Sequence, residues 1–344
     1  MADLSFIPPM EAKLVSELPD GAGWQFEPKW DGFRCLAIRQ GTQVDLWAKS
    51  GKPLGRYFPE IVDLIAGLPQ QRFMLDGELV VPIGGMASFD ALQQRLHPAE
   101  SRVRRLSAET PALLIVFDLL EEGSRAWRDA PLQERRAALE TFVAGVDAPA
   151  LRLSPSTRER KTAAAWFGNL STELDGVIAK RLDGAYASGE RAMLKAKRIR
   201  SADCVVGGFR YGTHSTEVGS LLLGLYNAQG MLDHVGFTSG IAAKDKPDLT
   251  RRLEKLKGGS GFTGKAPGGP SRWSTERSAE WVPLKPELVV EVLYDQITGD
   301  RFRHGTRLHR WRPDTAAEQC TFDQLAQPAA PDSVIQAIVA DAPR

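Results

Sequence analysis

The hydrophobic periodicity changes character near residue 201, and this change constrains the fold more than any other feature of the chain. Before it, helical and strand-like patterns alternate. Phe58, Ile61, Val62, Ile65 and Leu68 recur at helical spacing and predict an amphipathic helix. Phe33 to Ile38 and Val44 to Trp47 read as strands around a Gln40-Gly41-Thr42 turn, and Phe73 to Val81, Leu113 to Leu120 and Val177 to Lys180 read as further strands. Pro131 suits the first turn of a helix running to about Val146. Ser156 with Glu159 three residues on has the form of a capping box opening a helix to about Leu170. After residue 201 strands dominate: Cys204 to Phe209, Ser220 to Tyr226, Met231 to Phe237 and Leu288 to Tyr294, with Asn227-Ala228-Gln229-Gly230 as a hairpin loop. One helix carrying Leu249, Leu253 and Leu256 interrupts them and stops at Gly258, and Gly258 to Pro270 reads as a surface loop. The expectation is a mixed α/β domain over residues 1–200 and a smaller domain over 201–344, whose short strands suit a small Greek-key barrel of the OB type.

Composition narrows the function. The chain carries 44 basic and 43 acidic residues, a net charge of +1, and 42% apolar residues. That balance excludes full disorder and removes the simplest form of polyanion binding, a globally basic protein. Any site for phosphate or nucleic acid must come from local clustering. The three cysteines, Cys35, Cys204 and Cys320, are dispersed and show no zinc spacing or disulfide framework. Met1 to Ala12 lacks the pattern of a secretory signal, and the apolar run Leu113 to Phe117 is too short to span a membrane. A cytoplasmic, reducing location with no membrane association is expected.

Six stretches carry chemistry. In Glu27-Pro28-Lys29-Trp30-Asp31-Gly32-Phe33-Arg34, a lysine precedes an acid and a glycine at what reads as a loop entering a strand. Neutralised by cationic neighbours, such a lysine is a nucleophile, with Asp31 placed to orient it. The alternative is a surface salt-bridge cluster, and a K-x-D-G string arises by chance in roughly 4% of chains this long, so it decides nothing alone. Asp76-Gly77-Glu78 interrupts an apolar strand, where two acids are costly unless they bind something or lie solvated on a bulge. Phe117-Asp118 ends a strand with an aromatic that either stacks on a base or fills the core. Asp175-Gly176-Val177-Ile178-Ala179-Lys180 offers a carboxylate for a hard divalent ion. Lys195 and Lys197 alternate, so on a strand they face one spot, and they repel unless an anion lies between; a solvated basic edge is the alternative. From Arg301 to Arg312 there are five arginines, two histidines and no acid, a local concentration of phosphate-binding groups in the second domain.

The order of these stretches resembles that of the covalent nucleotidyltransferase superfamily, which includes ATP-dependent DNA ligases, RNA ligases and mRNA capping enzymes. The strings look most like a bacterial ATP-dependent DNA ligase of the stand-alone ligase C type, over about Pro8 to Asp314. The resemblance implies a nucleotidyltransferase (ATP-grasp-like) domain of antiparallel sheets and helices followed by a small OB-fold β-barrel domain. It implies an enzyme using ATP and Mg²⁺ (or Mn²⁺) to seal nicked duplex DNA in DNA repair, with Lys29 forming a lysyl-AMP. An RNA ligase, a capping-type enzyme and a non-catalytic nucleic-acid-binding protein of the same fold are the competing readings.

Position by position, the resemblance places Glu27 and Phe117 at adenine, Glu78 at the ribose, and Arg34 near the ribose and the nick. It places Asp175, with Glu78, at a metal, and Lys195 and Lys197 at the α-phosphate, with Asp31 and Lys180 among the nucleotide-binding residues. Arg312 and Asp314 fall in the motif that orients pyrophosphate, and Arg301, Arg303, Arg307 and Arg310 are assigned to DNA. Two positions depart from the family pattern. Position 175 is Asp where Glu is usual, and Lys49, in Ala48-Lys49-Ser50-Gly51, stands where arginine is usual, without arginine's bidentate fork. With the nucleophile at position 29, grip on DNA is expected from the two domains themselves, in a monomer working beside separate polymerase-like or end-binding repair proteins.

Overall fold

The computed structural model describes residues 4–168, 174–197, 199–268, 280–303, 305–325 and 337–339. The chain divides into two units, Met1–Arg198 together with Pro328–Arg344, and Ile199–Gln327. In chain order the first contains β1 (Ala12–Val15), β2 (Trp24–Trp30), β3 (Phe33–Gln40), β4 (Gln43–Ala48), α1 (Pro59–Gly67), β5 (Arg72–Val80), α2 (Phe89–Gln94), α3 (Glu100–Glu109), β6 (Leu113–Glu122), α4 (Leu132–Ala144), β7 (Leu151–Leu153), α5 (Arg160–Gly168), β8 (Leu174–Arg181) and β9 (Met193–Ala196).

These strands form two sheets. One has the order β1-β9-β8-β2, with β8 antiparallel to both neighbours; the other runs β7-β6-β5-β3-β4, antiparallel except for the β7–β6 pair. The β3–β4 hairpin turns at Gly41. Helix α1 buries Ile61 and Ile65 with Leu46, Phe58, Phe73 and Phe142. Its C-terminal carbonyls are closed by the Arg39 guanidinium, which donates to Ile65 O at 3.1 Å and to Leu68 O, a cation where the helix dipole favours one.

Several expectations change. Lys29 lies within β2 rather than at a loop edge, because β2 continues almost to the Asp31-Gly32 turn. The strand expected at Val177 starts at Leu174, and the first thirty residues contain two strands. Ahead of α5 the hydroxyl that accepts a backbone N–H is that of Thr157. The backbone of Thr157 pairs with Phe26, which sets its hydroxyl to accept from Glu159 N–H at 3.1 Å. The expected end of that helix, Leu170, and His304 lie outside the described residues.

The second unit contains β10 (Arg200–Tyr211), β11 (Val218–Tyr226), β12 (Leu232–Thr238), α6 (Lys246–Glu254), β13 (Val289–Tyr294) and β14 (Arg307–Trp311). Its sheet has the antiparallel order β12-β11-β10-β13-β14 around a core that includes Val205, Phe209, Leu222, Leu253 and Val290. The edge strands meet at one bridge: Thr306 N–H donates to Phe237 O at 3.1 Å, and Thr238 Oγ1 donates to Thr306 O at 3.0 Å. The expected small barrel is thus a five-strand ladder, with Val282–Pro283 pairing beside it on β10, whose edges join at this bridge among the described residues. Val339, within the range assigned above to the second domain, groups with the first unit. Val339 is fully buried with Trp30, Val80, Leu113, Ile115 and Leu174.

Candidate active site

Both sheets of the first unit line a cavity of about 220 Å³. Its wall from β2 follows from strand alternation: Gln25, Glu27 and Lys29 share one face. Glu27 is buried, and its two oxygens are held separately. Gln25 Nε2 donates to Oε1 at 2.8 Å, and Lys180 Nζ lies 2.8 Å from Oε2. Lys180 also lies 4.7 Å from the centre of the Phe117 ring, as does the Arg34 guanidinium. Phe117 is thus a cavity wall stabilised by two cations, not core filling.

Lys29 Nζ lies 2.5 Å from Asp175 Oδ2, and Lys197 Nζ lies 2.8 Å from the same oxygen. The carboxylate against the lysine is therefore Asp175 and not Asp31, whose charge bears instead on Glu78. A register shift between Leu174 and Gly176 marks a bulge on β8 beside Lys29, the device by which strands re-aim a side chain. Gly176 has φ +148°, and a Cβ there would sit 2.0 Å from Ala196 O; only glycine permits the approach. Burial, followed by the charges of Lys197, Lys29 and Lys49, pulls the Lys195 ammonium below its ordinary pKa. Cations outnumber carboxylates at this end of the cavity, which suits a phosphate.

The opposite wall is Arg34, Glu78 and Phe117. Arg34 donates two hydrogen bonds of 2.5 Å to Asp76 and one of 3.2 Å to Met10 O. Tyr186 OH donates to Asp76 at 2.5 Å and accepts from Met10 N–H at 3.0 Å. Burial opposes the Arg34 charge, but the Asp76 carboxylate overrides it and holds the guanidinium protonated. Burial likewise pushes the Glu78 carboxyl up to about 7, against the pull of Lys29 and Arg34. Asp76-Gly77 is a bulge, but a buried one. Gly32 makes the turn between β2 and β3 possible, since a Cβ there would meet Leu79 O at 2.2 Å. Lys49 pairs with Glu11 at 3.0 Å, and a wider cleft of about 1010 Å³ shares Arg34, Lys49 and Glu78 with the cavity.

Among the described residues no three metal-ligating side chains cluster. A divalent ion bound beside phosphates needs only one or two protein carboxylates, and Asp175 fits as a single ligand at the cationic end. Glu78 faces Arg34 across the sheet.

In the second unit the basic stretch is largely paired. Arg310 Nε lies 2.6 Å from Glu291, and Arg303 donates to Gln296 Oε1 at 2.5 Å. Arg301 lies 3.2 Å from His234 Nδ1. Arg312 is clamped between Asp203, at 2.8 Å, and Asp314, at 3.0 Å. Arg307 is exposed. Sequence reasoning missed Asp76 as the partner of Arg34, and it missed Tyr186 and Gln25. The burial of Asp76 within an apolar strand was the one available signal.

Comparison with known proteins matches residues 9–197 to the ATP dependent DNA ligase domain and residues 214–315 to the ATP dependent DNA ligase C terminal region. The chain is 43% identical to DNA ligase C1 of Mycolicibacterium smegmatis, over 94% of each protein. It is 41% identical to DNA ligase C of Mycobacterium tuberculosis, again over 94% of each. A solved Lig E DNA ligase shares the fold, with a TM-score of 0.58 at 15% identity over 89% of this chain and 100% of that one.

Proposed function

We infer the reaction from one premise: the chain belongs to the ATP-dependent DNA ligase family. It seals 5′-phosphate/3′-hydroxyl nicks in duplex DNA through a covalent lysyl-AMP. The observation that carries this reading is Lys29 held 2.5 Å from Asp175 in a cavity walled by Glu27, Glu78, Phe117, Lys180 and Lys195. Adenine stacks on Phe117 and offers its amino group to Glu27, whose carboxylate only accepts hydrogen bonds. Glu78 takes the ribose hydroxyls, and Arg34 closes the wall beside them.

Lys29 must be neutral to react. Asp175 fixes its direction, and Lys195 and Lys197 bring positive charge to the phosphate beside it. The amine attacks the α-phosphorus; a P–N bond forms as the bond to pyrophosphate breaks. A 5′-phosphate oxygen then takes the AMP from Lys29, and the 3′-hydroxyl displaces AMP to join the strand. Positioning and charge neutralisation account for most of the rate in such transfers. Mg²⁺ or Mn²⁺, when held by Asp175 and phosphate oxygens, supplies part of that neutralisation. Arg312 and Asp314 serve the pyrophosphate step. Lys49, the shared cleft and Arg301, Arg303, Arg307 and Arg310 serve the DNA backbone. The three free, buried cysteines support a reducing, cytoplasmic setting on DNA, and no helix among the described residues is long and apolar enough to cross a membrane.

Intact mass after incubation with ATP and Mg²⁺ tests the reading. An AMP-sized adduct is expected, lost in Lys29→Ala and discharged by a nicked, 5′-phosphorylated duplex as the nick closes. An adduct with GTP alone would point to capping chemistry. No adduct with either nucleotide, in folded protein free of prior adenylation, would overturn the assignment.

A further inference from the structure

Gln25 lies one step beyond the residues that line the cavity, and its side chain donates to one of them, Glu27. It occupies the same face of β2 as Glu27 and Lys29, and across the sheet it is paired with Lys180, while Glu27 is paired with Ile178. Gln25, Glu27 and Lys180 are 3%, 2% and 3% exposed, so each polar group must be satisfied within the protein. Gln25 Nε2 takes Glu27 Oε1 at 2.8 Å, and Lys180 takes Oε2 at 2.8 Å while also reaching Phe117 O at 3.4 Å.

A carboxylate on its own rotates about its last bond. Held at one oxygen by the ammonium alone, Glu27 retains that rotation, because Lys180 presents three equivalent donors on a flexible stem. The second bond, from a planar amide two residues back on the same strand, fixes the plane of the carboxylate. It leaves about two of the four acceptor sites free, and Glu27 lines the cavity where they are needed.

We propose that Gln25 is a positioning residue for base recognition: by clamping Oε1 it aims the Glu27 carboxylate at the exocyclic amine of adenine. This rests on the adenylation reading above and adds to it the residue that sets purine discrimination. Gln25 contacts neither nucleotide nor phosphate, so its removal acts on the choice of base and not on the transfer step.

The experiment compares adenylation by ATP with nucleotidylation by purine riboside triphosphate, which lacks the 6-amino group, in intact wild-type protein and in Gln25→Met, a change that keeps length and removes the donor. The ratio of the two kcat/KM values is expected to fall about tenfold in the variant, mainly through KM for ATP, the scale of weakening a hydrogen bond to a charged group. A Gln25→Glu variant, which also lacks the donor, is expected to show a fall at least as large. In a Glu27→Gln background, Gln25→Met is expected to produce no further change in the ratio, as it must if it acts through Glu27. An equal loss with both nucleotides, or an unaltered ratio in folded variants, would overturn the proposal. Wild-type protein that forms no adduct with ATP would instead overturn the parent reading.

Discussion

The two units each gather positive charge, and they treat it in opposite ways. In the first, Lys29 and Lys197 share one oxygen of Asp175, and burial, then the neighbouring lysines, pull the Lys195 ammonium below its ordinary pKa. The charge is concentrated against a cavity and exceeds the carboxylates present. In the second, arginine after arginine along the basic stretch has its own partner: Glu291 for Arg310, Asp203 and Asp314 for Arg312, Gln296 for Arg303. Counting basic residues along a sequence does not separate these cases. What separates them is how many of the cations meet a partner of their own in the fold.

The sharpest test of this contrast is removal of one acid from each region. Asp76→Ala strands the Arg34 guanidinium in a buried wall and is expected to destabilise the chain by about 3 kcal/mol in denaturant unfolding. Glu291→Gln, at a surface pair, is expected to change stability by less than about 1 kcal/mol. Equal effects would erase the distinction between the two regions.

Glu78 gives a test in pH. Its folded pKa of about 7 lies above the ordinary 4.5, so the folded state keeps a proton that the unfolded state has released. The contribution of this group is fully present below about 4.5 and is lost as pH rises toward 7. In metal-free buffer Glu78→Gln is expected to remove up to about 3 kcal/mol of that decline across the window. A decline unchanged in Glu78→Gln would place its cause elsewhere.

At the phosphate end, Asp175→Asn keeps the shape and removes the charge shared by Lys29 and Lys197. Single-turnover adenylation is expected to slow by about a hundredfold, within the range for removing one electrostatic contact from a preorganised site. A rate within twofold of wild type would mean that the pair is structural. The smallest effect is expected in the second unit. Arg307→Gln should weaken nicked-duplex binding and lower the slope of log affinity against log salt by about one, and Arg312→Gln, already neutralised, should lower it less. The reverse ranking would mean that the arginine pairs open on DNA.

Much of the catalytic wall was legible in the sequence because strand alternation is local. Residues 27 and 29 face the same way on β2, and the chemistry of Phe117, Lys180 and Lys195 is visible in short strings. What stayed hidden depends on partners far along the chain. The Asp76 carboxylate meets Tyr186 across 110 positions and Arg34 across 42, and nothing near residue 76 names either. Asp31 looked like the partner of Lys29 by adjacency. A bulge near residue 175, which needs Gly176 at positive φ, placed another acid there. Ahead of α5 the accepting hydroxyl belongs to Thr157 and not to the expected Ser156, because Phe26, on another strand, fixes Thr157. The strand patterns suggested a small barrel but could not show where its edges meet, which is at Phe237, Thr238 and Thr306.

The buried position of Val339 has a consequence for synthesis. Domains generally fold as the ribosome delivers them, the earlier before the later. Here the cluster flanking Lys29, through Trp30, and Asp175, through Leu174, includes a residue made only after the whole second unit. The nascent first unit must therefore wait with part of that cluster unfilled. Vectorial folding of this chain thus completes the packing beside β2 late, after the second unit has been made.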